Sequence, residues 1–252
     1  MALPHDDVGS GPAVLLLHAG IADRRMWRQH LEPLAAGGRR TIAVDFPGFG
    51  EAPLGERRLP WREVLETLDE LGVETALLAG NSFGGLVAQR VAVEAPLRVS
   101  ALMLVSSPFA PVEPSDELFA AWETEEVALA GGDIDAAVAA VLDTWVPATA
   151  PPGVRDAVAT MQRRAFELQQ PPPGEEVSVE DDLEVDAAVL SRVSVPSLVA
   201  VGREDMRDFH DAAVALAQAL GGAAPTVIEG AAHLAPLEAP ERFRELLLSL
   251  PA

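Results

Sequence analysis

The residues most suggestive of chemistry form the run Gly80-Asn81-Ser82-Phe83-Gly84, a G-x-S-x-G pattern. This run directly follows an apolar segment, residues 75–79, and opens a helical pattern. A serine on such a sharp strand-to-helix turn has a strained backbone, and side chains two residues to either side would clash. Glycine at both flanks removes that clash, and the turn lifts the serine Oγ clear of the backbone. The pattern predicts that Ser82 is a nucleophile rather than an idle serine in a glycine-rich turn.

A serine hydroxyl becomes a good nucleophile only when a base accepts its proton. Among the five histidines, His233 lies in a loop of small residues after the last predicted strand, where its ring can reach over the strand ends. The others fit this role less well. His5 lies in a polar tail, His18 ends a strand and is expected to bond loop backbone, His30 is expected on a surface helix, and His210 begins a helix. We therefore expect His233 to be the base.

The base needs an acid that fixes its tautomer and stabilises the imidazolium. Asp205 follows the apolar segment 197–201 and should lie at the same sheet edge as the serine. Asp208 is the second candidate. Asp208 and Asp211 lie further into the next helix, and Glu204 should point away if Asp205 points towards the site. Asp205 is the predicted acid.

A tetrahedral oxyanion needs two backbone N–H donors. Phe83, directly after the nucleophile, supplies one. The second is expected from the turn His18-Ala19-Gly20-Ile21 after the first strong strand, at the N–H of Gly20. The predicted oxyanion hole is therefore Phe83 and Gly20.

Apolar segments alternate with helical patterns along most of the chain, which is typical of a doubly wound, mostly parallel α/β sheet. The predicted strands are residues 13–17, 41–45, 75–79, 101–106, 197–201 and 226–228. The predicted helices between them are residues 26–34, 61–71, 84–94, 211–220 and 240–248. Only about a dozen residues precede the first strong strand, so any additional antiparallel edge strand must be short.

One segment interrupts this alternation. Residues 109–190 contain no convincing strand but carry amphipathic stretches at 115–130, 133–145, 154–168 and 186–193, with a proline run at 171–173. Residues 110–190 hold 18 acidic residues against three arginines, a net charge of −15. We expect 109–190 to form a helical cap over the carboxyl ends of the strands, on a core of 1–108 and 191–252. The alternative is an acidic satellite with no role at the site.

Composition excludes several classes of function. The chain has no Cys, Lys or Tyr, so a thiolate nucleophile, a lysine Schiff base and a tyrosine proton donor are impossible. A net charge of −21 argues against binding to nucleic acid or to an anionic membrane. No segment resembles a membrane span, and the start MALPHDDVGS does not resemble a secretory signal, so we expect a cytoplasmic protein, a monomer or a homodimer. We find no metal or cofactor motif.

Five landmarks together resemble the α/β-hydrolase superfamily over essentially the whole chain. They are LLLHAG at 15–20, DFPGFG at 45–50, GNSFGG at 80–85, VGREDM at 201–206 and GAAHLAPLEAP at 230–240. The resemblance implies a nucleophile, acid and base at Ser82, Asp205 and His233, in the chain order of that family. It also implies a cap inserted after the sixth strand. HAGIADRRMW is similar to capped esterases, enol-lactonases and carbon–carbon bond hydrolases, and serine rather than aspartate at the nucleophile argues against dehalogenase and epoxide hydrolase chemistry.

The expected function is hydrolysis of a small, largely apolar carboxylic ester or lactone through an acyl-enzyme, without metal or cofactor. The expected partner is therefore a small-molecule, ester-like substrate. The alternatives are carbon–carbon bond hydrolysis, perhydrolysis or acyl transfer on the same residues, or ligand reception without turnover. The candidate substrate-binding residues, each of which is equally compatible with plain core, are Trp27, Phe109, Trp122, Trp145, Met206 and Leu234.

Overall fold

The computed structural model describes residues 2–54, 59–169, 183–222 and 224–251. The proline run at 171–173, within the predicted cap segment, lies outside the described residues. Within them, the molecule is built on one seven-stranded sheet with helices packed against it.

The sheet is parallel except at one edge. Its strands are β1 His5–Val8, β2 Ala13–Leu17, β3 Arg40–Val44, β4 Ala76–Asn81, β5 Val99–Val105, β6 Ser197–Gly202 and β7 Thr226–Ile228. They lie in the order β1-β3-β2-β4-β5-β6-β7, and only β1 runs antiparallel to its neighbour β3. This confirms the predicted doubly wound, mostly parallel sheet, and the additional edge strand is four residues long.

The central strands are buried on both faces. All residues of β2 and β4 are buried, which explains why these segments read as continuous apolar runs rather than alternating ones. The register brings the carboxyl ends of neighbouring strands level, because Leu17 pairs with Gly80, Asn81 with Val105, and Val105 with Ala200. One sheet edge therefore receives the loops that follow β2, β4, β5 and β6.

The helices follow the predicted alternation closely. They are α1 Arg28–Ala36, α2 Pro60–Glu70, α3 Phe83–Glu94, α4 Asp116–Ala130, α5 Ile134–Trp145, α6 Val154–Gln169, α7 Ala187–Leu190, α8 Arg207–Ala219, α9 Ala235–Glu238 and α10 Pro240–Ser249. The predicted start of α8 at residue 211 is wrong by one turn. The helix begins at Arg207, and its buried stripe starts at Asp208 and Phe209.

Three long helices separate β5 from β6. Side chains cap two of them: the Ser115 Oγ accepts the N–H of Leu118 in α4, and the Asp133 carboxylate accepts the N–H of Ala136 in α5. Counted along this chain, these helices follow the fifth of seven strands, not the sixth, because a single short strand precedes β2. Of the 15 residues of α4, only Leu118 is buried.

The prediction that His30 lies on a surface helix is wrong. Its ring is fully buried between Trp27 and Phe243, with centroids 5.8 and 4.8 Å away, and its Nε2–H donates to the Pro236 carbonyl at 2.8 Å. Burial lowers the pKa of His30 to about 4, so the ring is neutral in the folded protein at neutral pH.

Across the described ranges, we find no helix with both the length and the apolar character needed to cross a membrane.

Candidate active site

Ser82 stands on a strained turn between β4 and α3. Its φ is +52°, in a region that residues other than glycine rarely adopt. Three glycines make the turn possible. A Cβ on Gly80 would lie 2.3 Å from the Gly84 carbonyl oxygen, one on Gly84 would lie 2.2 Å from the Leu17 carbonyl oxygen, and one on Gly85 would lie 2.3 Å from the Ser107 Oγ. The glycine pattern therefore reflects close backbone approach as well as the turn itself.

The structure brings Ser82, His233 and Asp205 into one continuous hydrogen-bonded chain. The His233 Nε2 lies 2.9 Å from the Ser82 Oγ, and the His233 Nδ1 lies 3.1 and 3.2 Å from the two oxygens of Asp205. The side chains of His233 and Asp205 are almost fully buried, 4% and 1% exposed. A carboxylate facing Nδ1 selects the tautomer with its proton on that nitrogen, which leaves Nε2 free to accept the serine proton.

The competing acids are engaged elsewhere. Asp208 accepts the N–H and the Oγ–H of Ser115 at 2.7 and 2.8 Å, so it holds the start of α4. Asp211 pairs with Arg207 on the surface, and Glu204 is exposed. Only Asp205 of these four carboxylates contacts His233 in the structure.

The two predicted oxyanion donors lie close together at the sheet edge that carries Ser82. A Cβ on Gly20 would lie 3.5 Å from the Cβ of Phe83. In the described part of the chain, neither the Gly20 nor the Phe83 N–H donates to another protein group. Two amides without protein partners beside a half-buried serine are able to hold a developing oxyanion.

His18 holds the loop that carries Gly20. Its Nε2 accepts the N–H of Phe46 at 3.0 Å, so the proton is on Nδ1, which donates to the Ala19 carbonyl at 2.8 Å. Burial is the main cause that lowers the pKa of His18. The ring is thus a neutral structural link between the loops after β2 and β3, as expected for this residue.

Two aromatic rings cover the imidazole of His233. The ring of Trp145, at the end of α5, has its centroid 4.6 Å from that of His233, and Phe209 in α8 lies at 4.4 Å. Sequence reasoning missed Phe209; the apolar stripe of α8 was the available signal. Helix α5 therefore reaches the catalytic candidates from the segment between β5 and β6.

The predicted pocket residues have different locations. Phe109 and Trp122 line a cavity of about 360 Å³, and so does Phe209, which contacts the His233 ring; neither Ser82 nor His233 is among the residues that line it. Met206 is half-buried, and its N–H donates to Asp205.

The two other predicted pocket residues, Trp27 and Leu234, are not among the residues that line this cavity. Trp27 is fully buried against Phe243, with ring centroids 5.4 Å apart, so it belongs to the core. Leu234 also has no exposed surface and lies within the core cluster. An apolar side chain near a site is not distinguished by its type from one that packs the interior.

Sequence reasoning also missed two buried polar residues at the His233 loop. Asn81 donates through Nδ2 to the carbonyls of Val105 and His233, at 3.1 and 3.0 Å. Glu238 accepts the N–H groups of Ala232 and Leu234 at 2.8 and 3.1 Å. Burial raises the pKa of Glu238 to about 7, against the opposing effect of these bonds and of nearby His233. Among the described residues, no group of His, Asp and Glu side chains could hold a metal ion.

Curated relatives match only part of their own length. Over 115 residues the chain is 35% identical to bifunctional epoxide hydrolase 2 of Sus scrofa, a match covering 43% of this chain and 21% of that protein. Over 122 residues it is 34% identical to 2-hydroxy-6-oxo-6-phenylhexa-2,4-dienoate hydrolase of Comamonas testosteroni, covering 43% of each chain. The chain thus spans less than half of the length of either relative.

The likeness to solved structures covers nearly the whole chain. Est816, described as an N-acyl homoserine lactone degrading enzyme, superposes with a TM-score of 0.77 over 98% of this chain and 95% of its own, at 23% identity. That level of identity supports the fold alone. The family model for the alpha/beta hydrolase family matches residues 14–246. The chain therefore belongs to the α/β-hydrolase family, and hydrolysis is the class of activity that this membership supports.

Proposed function

We propose that the protein is a serine hydrolase that cleaves a small, largely apolar carboxylic ester or lactone through an acyl-enzyme. The observation that carries this proposal is the chain of contacts from the Ser82 Oγ through His233 to Asp205, next to two unpartnered amides. A nucleophile, a base, an acid that orients the base and an oxyanion site are the parts that acyl transfer requires.

In the first step, the Ser82 Oγ attacks the substrate carbonyl carbon while the His233 Nε2 accepts the hydroxyl proton. The starting separation of 2.9 Å between these atoms is within hydrogen-bond reach. The carbonyl oxygen becomes an oxyanion, which the N–H groups of Phe83 and Gly20 stabilise. Loss of either donor in comparable sites costs about 10²–10³-fold in turnover.

Collapse of the tetrahedral intermediate breaks the bond to the leaving oxygen, which takes the proton back from His233. The acyl group stays on Ser82. Water then loses a proton to the same Nε2, attacks the acyl carbon, and releases the carboxylic acid and the free serine. Asp205 orients His233 and stabilises the imidazolium that forms in each half-reaction.

We further propose that residues 109–190 act as a cap that shapes the substrate pocket. Trp145 of α5 lies on the His233 ring, and Phe109 and Trp122 line the adjacent cavity. The carboxylates on this cavity are Glu113, Glu184 and Asp208, with no arginine among the lining residues. Such a pocket disfavours an anionic acyl group and favours a neutral, apolar one.

A 6-oxo-dienoate is the second candidate substrate class, because the Comamonas relative is named as a hydrolase of such a compound. Epoxide hydrolysis is disfavoured, although one relative carries that name, since Ser82 stands where that chemistry uses an aspartate. Hydrolysis of an ester or lactone and hydrolysis of a 6-oxo-dienoate would both use Ser82, His233 and Asp205, so the choice between these substrates depends on the pocket.

A substrate panel tests the proposal. We expect the protein to hydrolyse p-nitrophenyl butyrate and a simple lactone much faster than p-nitrophenyl hydrogen glutarate, whose acyl group carries a carboxylate. Faster turnover of the glutarate would contradict a neutral acyl group. Turnover of a vinylogous 6-oxo-dienoate, but of no ester or lactone, would establish the second candidate instead.

A further inference from the structure

The base of the proposed reaction sits on a buried loop whose own side chains are small. His233 follows Gly230, Ala231 and Ala232 between β7 and α9. Trp145 and Phe209 pack against the ring, and Ala231, Ala232 and Leu234 are buried. In addition to this packing, hydrogen bonds from polar side chains hold the backbone on either side of His233.

Glu238 binds that backbone on both sides. Its Oε2 accepts the N–H of Ala232 at 2.8 Å and the N–H of Leu234 at 3.1 Å, the two residues that flank His233. The residue ends the single turn of α9, which starts at Ala235 and folds the carboxylate back beneath the loop. One oxygen atom thus fixes the separation of the two amides next to the base.

Holding the Glu238 carboxylate in this buried position costs desolvation free energy. Glu238 is 7% exposed, and within the described ranges its Oε1 is buried without a hydrogen-bond partner. Burying a carboxylate costs desolvation free energy, and two hydrogen bonds from backbone amides offset only part of that cost. Its placement is better explained by what it does for His233 than by a contribution to general stability.

Asn81 holds the backbone group between the two amides. Its Nδ2 donates to the His233 carbonyl at 3.0 Å and to the Val105 carbonyl at 3.1 Å. Because Asn81 directly precedes Ser82, this contact ties the loop of the base to the turn of the nucleophile. The N–H of Ala232, the C=O of His233 and the N–H of Leu234 are therefore all fixed.

We propose that Glu238 is a positioning residue for proton transfer between Ser82 and His233, acting through the backbone of the His233 loop. This inference rests on the proposed function, since it assigns Glu238 a role in that reaction. Removing the acceptor lets the loop relax and lengthens the contact between the His233 Nε2 and the Ser82 Oγ. We expect a smaller effect on substrate binding, because Glu238 is buried and bonds only the backbone of the His233 loop.

Two variants separate positioning from a merely structural role. Glu238→Ala removes the acceptor, and we expect kcat per folded enzyme to fall about 10²-fold with little change in KM, the loss that a misplacement of about 1 Å produces. Glu238→Gln keeps one oxygen for both amides and should recover most of the turnover. Glu245→Ala removes an exposed carboxylate that pairs with Arg242 and serves as the matched control.

The folded fraction is measured by circular dichroism and gel filtration. The rate of Ser82 labelling by a fluorophosphonate probe is measured in parallel, because it needs an activated serine but no particular ester. Folded Glu238→Ala that turns over and labels like wild type would overturn the inference, as would Glu238→Gln being no better than Glu238→Ala. If wild type labels but hydrolyses no ester or lactone, the proposed substrate class fails while the labelling rates still decide the role of Glu238.

Discussion

Replacing Asp205 with asparagine should lower kcat by about 10⁴-fold, a loss of about 5 kcal/mol in transition-state stabilisation. The substitution conserves volume, so the fold and the pocket should be unchanged. Only the hydrogen-bonding pattern of one buried group differs, and its consequence follows from the contacts of the two carboxylate oxygens.

The Asp205 Oδ1 accepts the N–H of Met206 at 2.9 Å and also lies 3.1 Å from the His233 Nδ1, while Oδ2 lies 3.2 Å from the same nitrogen. The side-chain oxygen of an asparagine must accept the Met206 N–H, because in the flipped orientation the side-chain NH₂ would face that N–H and two donors would oppose each other. The amide then takes the place of Oδ2, 3.2 Å from Nδ1, where its N–H would oppose a proton on Nδ1, so the tautomer with the imidazole proton on Nε2 is favoured. That proton points at the Ser82 Oγ, so the ring no longer serves as a base.

The assay is steady-state hydrolysis of p-nitrophenyl butyrate, with KM expected to stay close to wild type. Asp211→Asn is the matched control, since Asp211 pairs with Arg207 on the surface and does not line the cavity, and it should retain most of the activity. Retention of more than a tenth of wild-type kcat by Asp205→Asn, or a larger loss in Asp211→Asn, would refute the assignment of the acid.

Three further predictions concern stability. Gly84→Ala places a Cβ 2.2 Å from the Leu17 carbonyl oxygen and should cost about 1–3 kcal/mol in urea unfolding, whereas Gly131→Ala, with its nearest contacts at 3.4 Å, should be close to neutral. The pKa of His30 is lowered to about 4 in the folded protein, so between pH 4 and 6.5 the unfolded chain binds one more proton than the folded chain. The free energy of unfolding should therefore fall by about 3 kcal/mol as pH falls through this range. His30→Leu should make the free energy of unfolding less dependent on pH in the same range. The pKa of Glu238 is raised to about 7 in the folded protein, so between pH 4.5 and 7 the folded chain binds one more proton than the unfolded chain, and wild-type stability falls as pH rises. The free energy of unfolding of Glu238→Gln minus that of wild type should therefore increase by about 3 kcal/mol from pH 4.5 to pH 7. A difference that does not change with pH would contradict this prediction.

The sheet and most helices were predictable because their signals are local. Continuous apolar runs such as β2 and β4 indicate strands covered on both faces, and the structure buries them completely. The contact among Ser82, Asp205 and His233 could be expected because each residue follows a strand of the same parallel sheet. The start of α8 was missed because its first buried residues, Asp208 and Phe209, include a carboxylate that reads as surface.

Residues that act through long-range contacts were not predictable from spacing. Trp27 and His30 look like pocket and surface residues until Phe243, at the other end of the chain, packs against both. Glu238 and Asn81 form hydrogen bonds with backbone groups. Because every residue has a backbone, such bonds leave no pattern in the sequence. Local periodicity reports which face of an element is apolar, but not which distant segment covers it.

The central claim, that the Ser82 Oγ is the atom that attacks the substrate, is tested most directly by the turnover of Ser82→Ala on p-nitrophenyl butyrate. The variant adds no volume and leaves the surrounding contacts in place. The account predicts a fall in kcat of at least about 10³-fold in a folded protein. A folded Ser82→Ala that keeps more than a few per cent of wild-type turnover would contradict it.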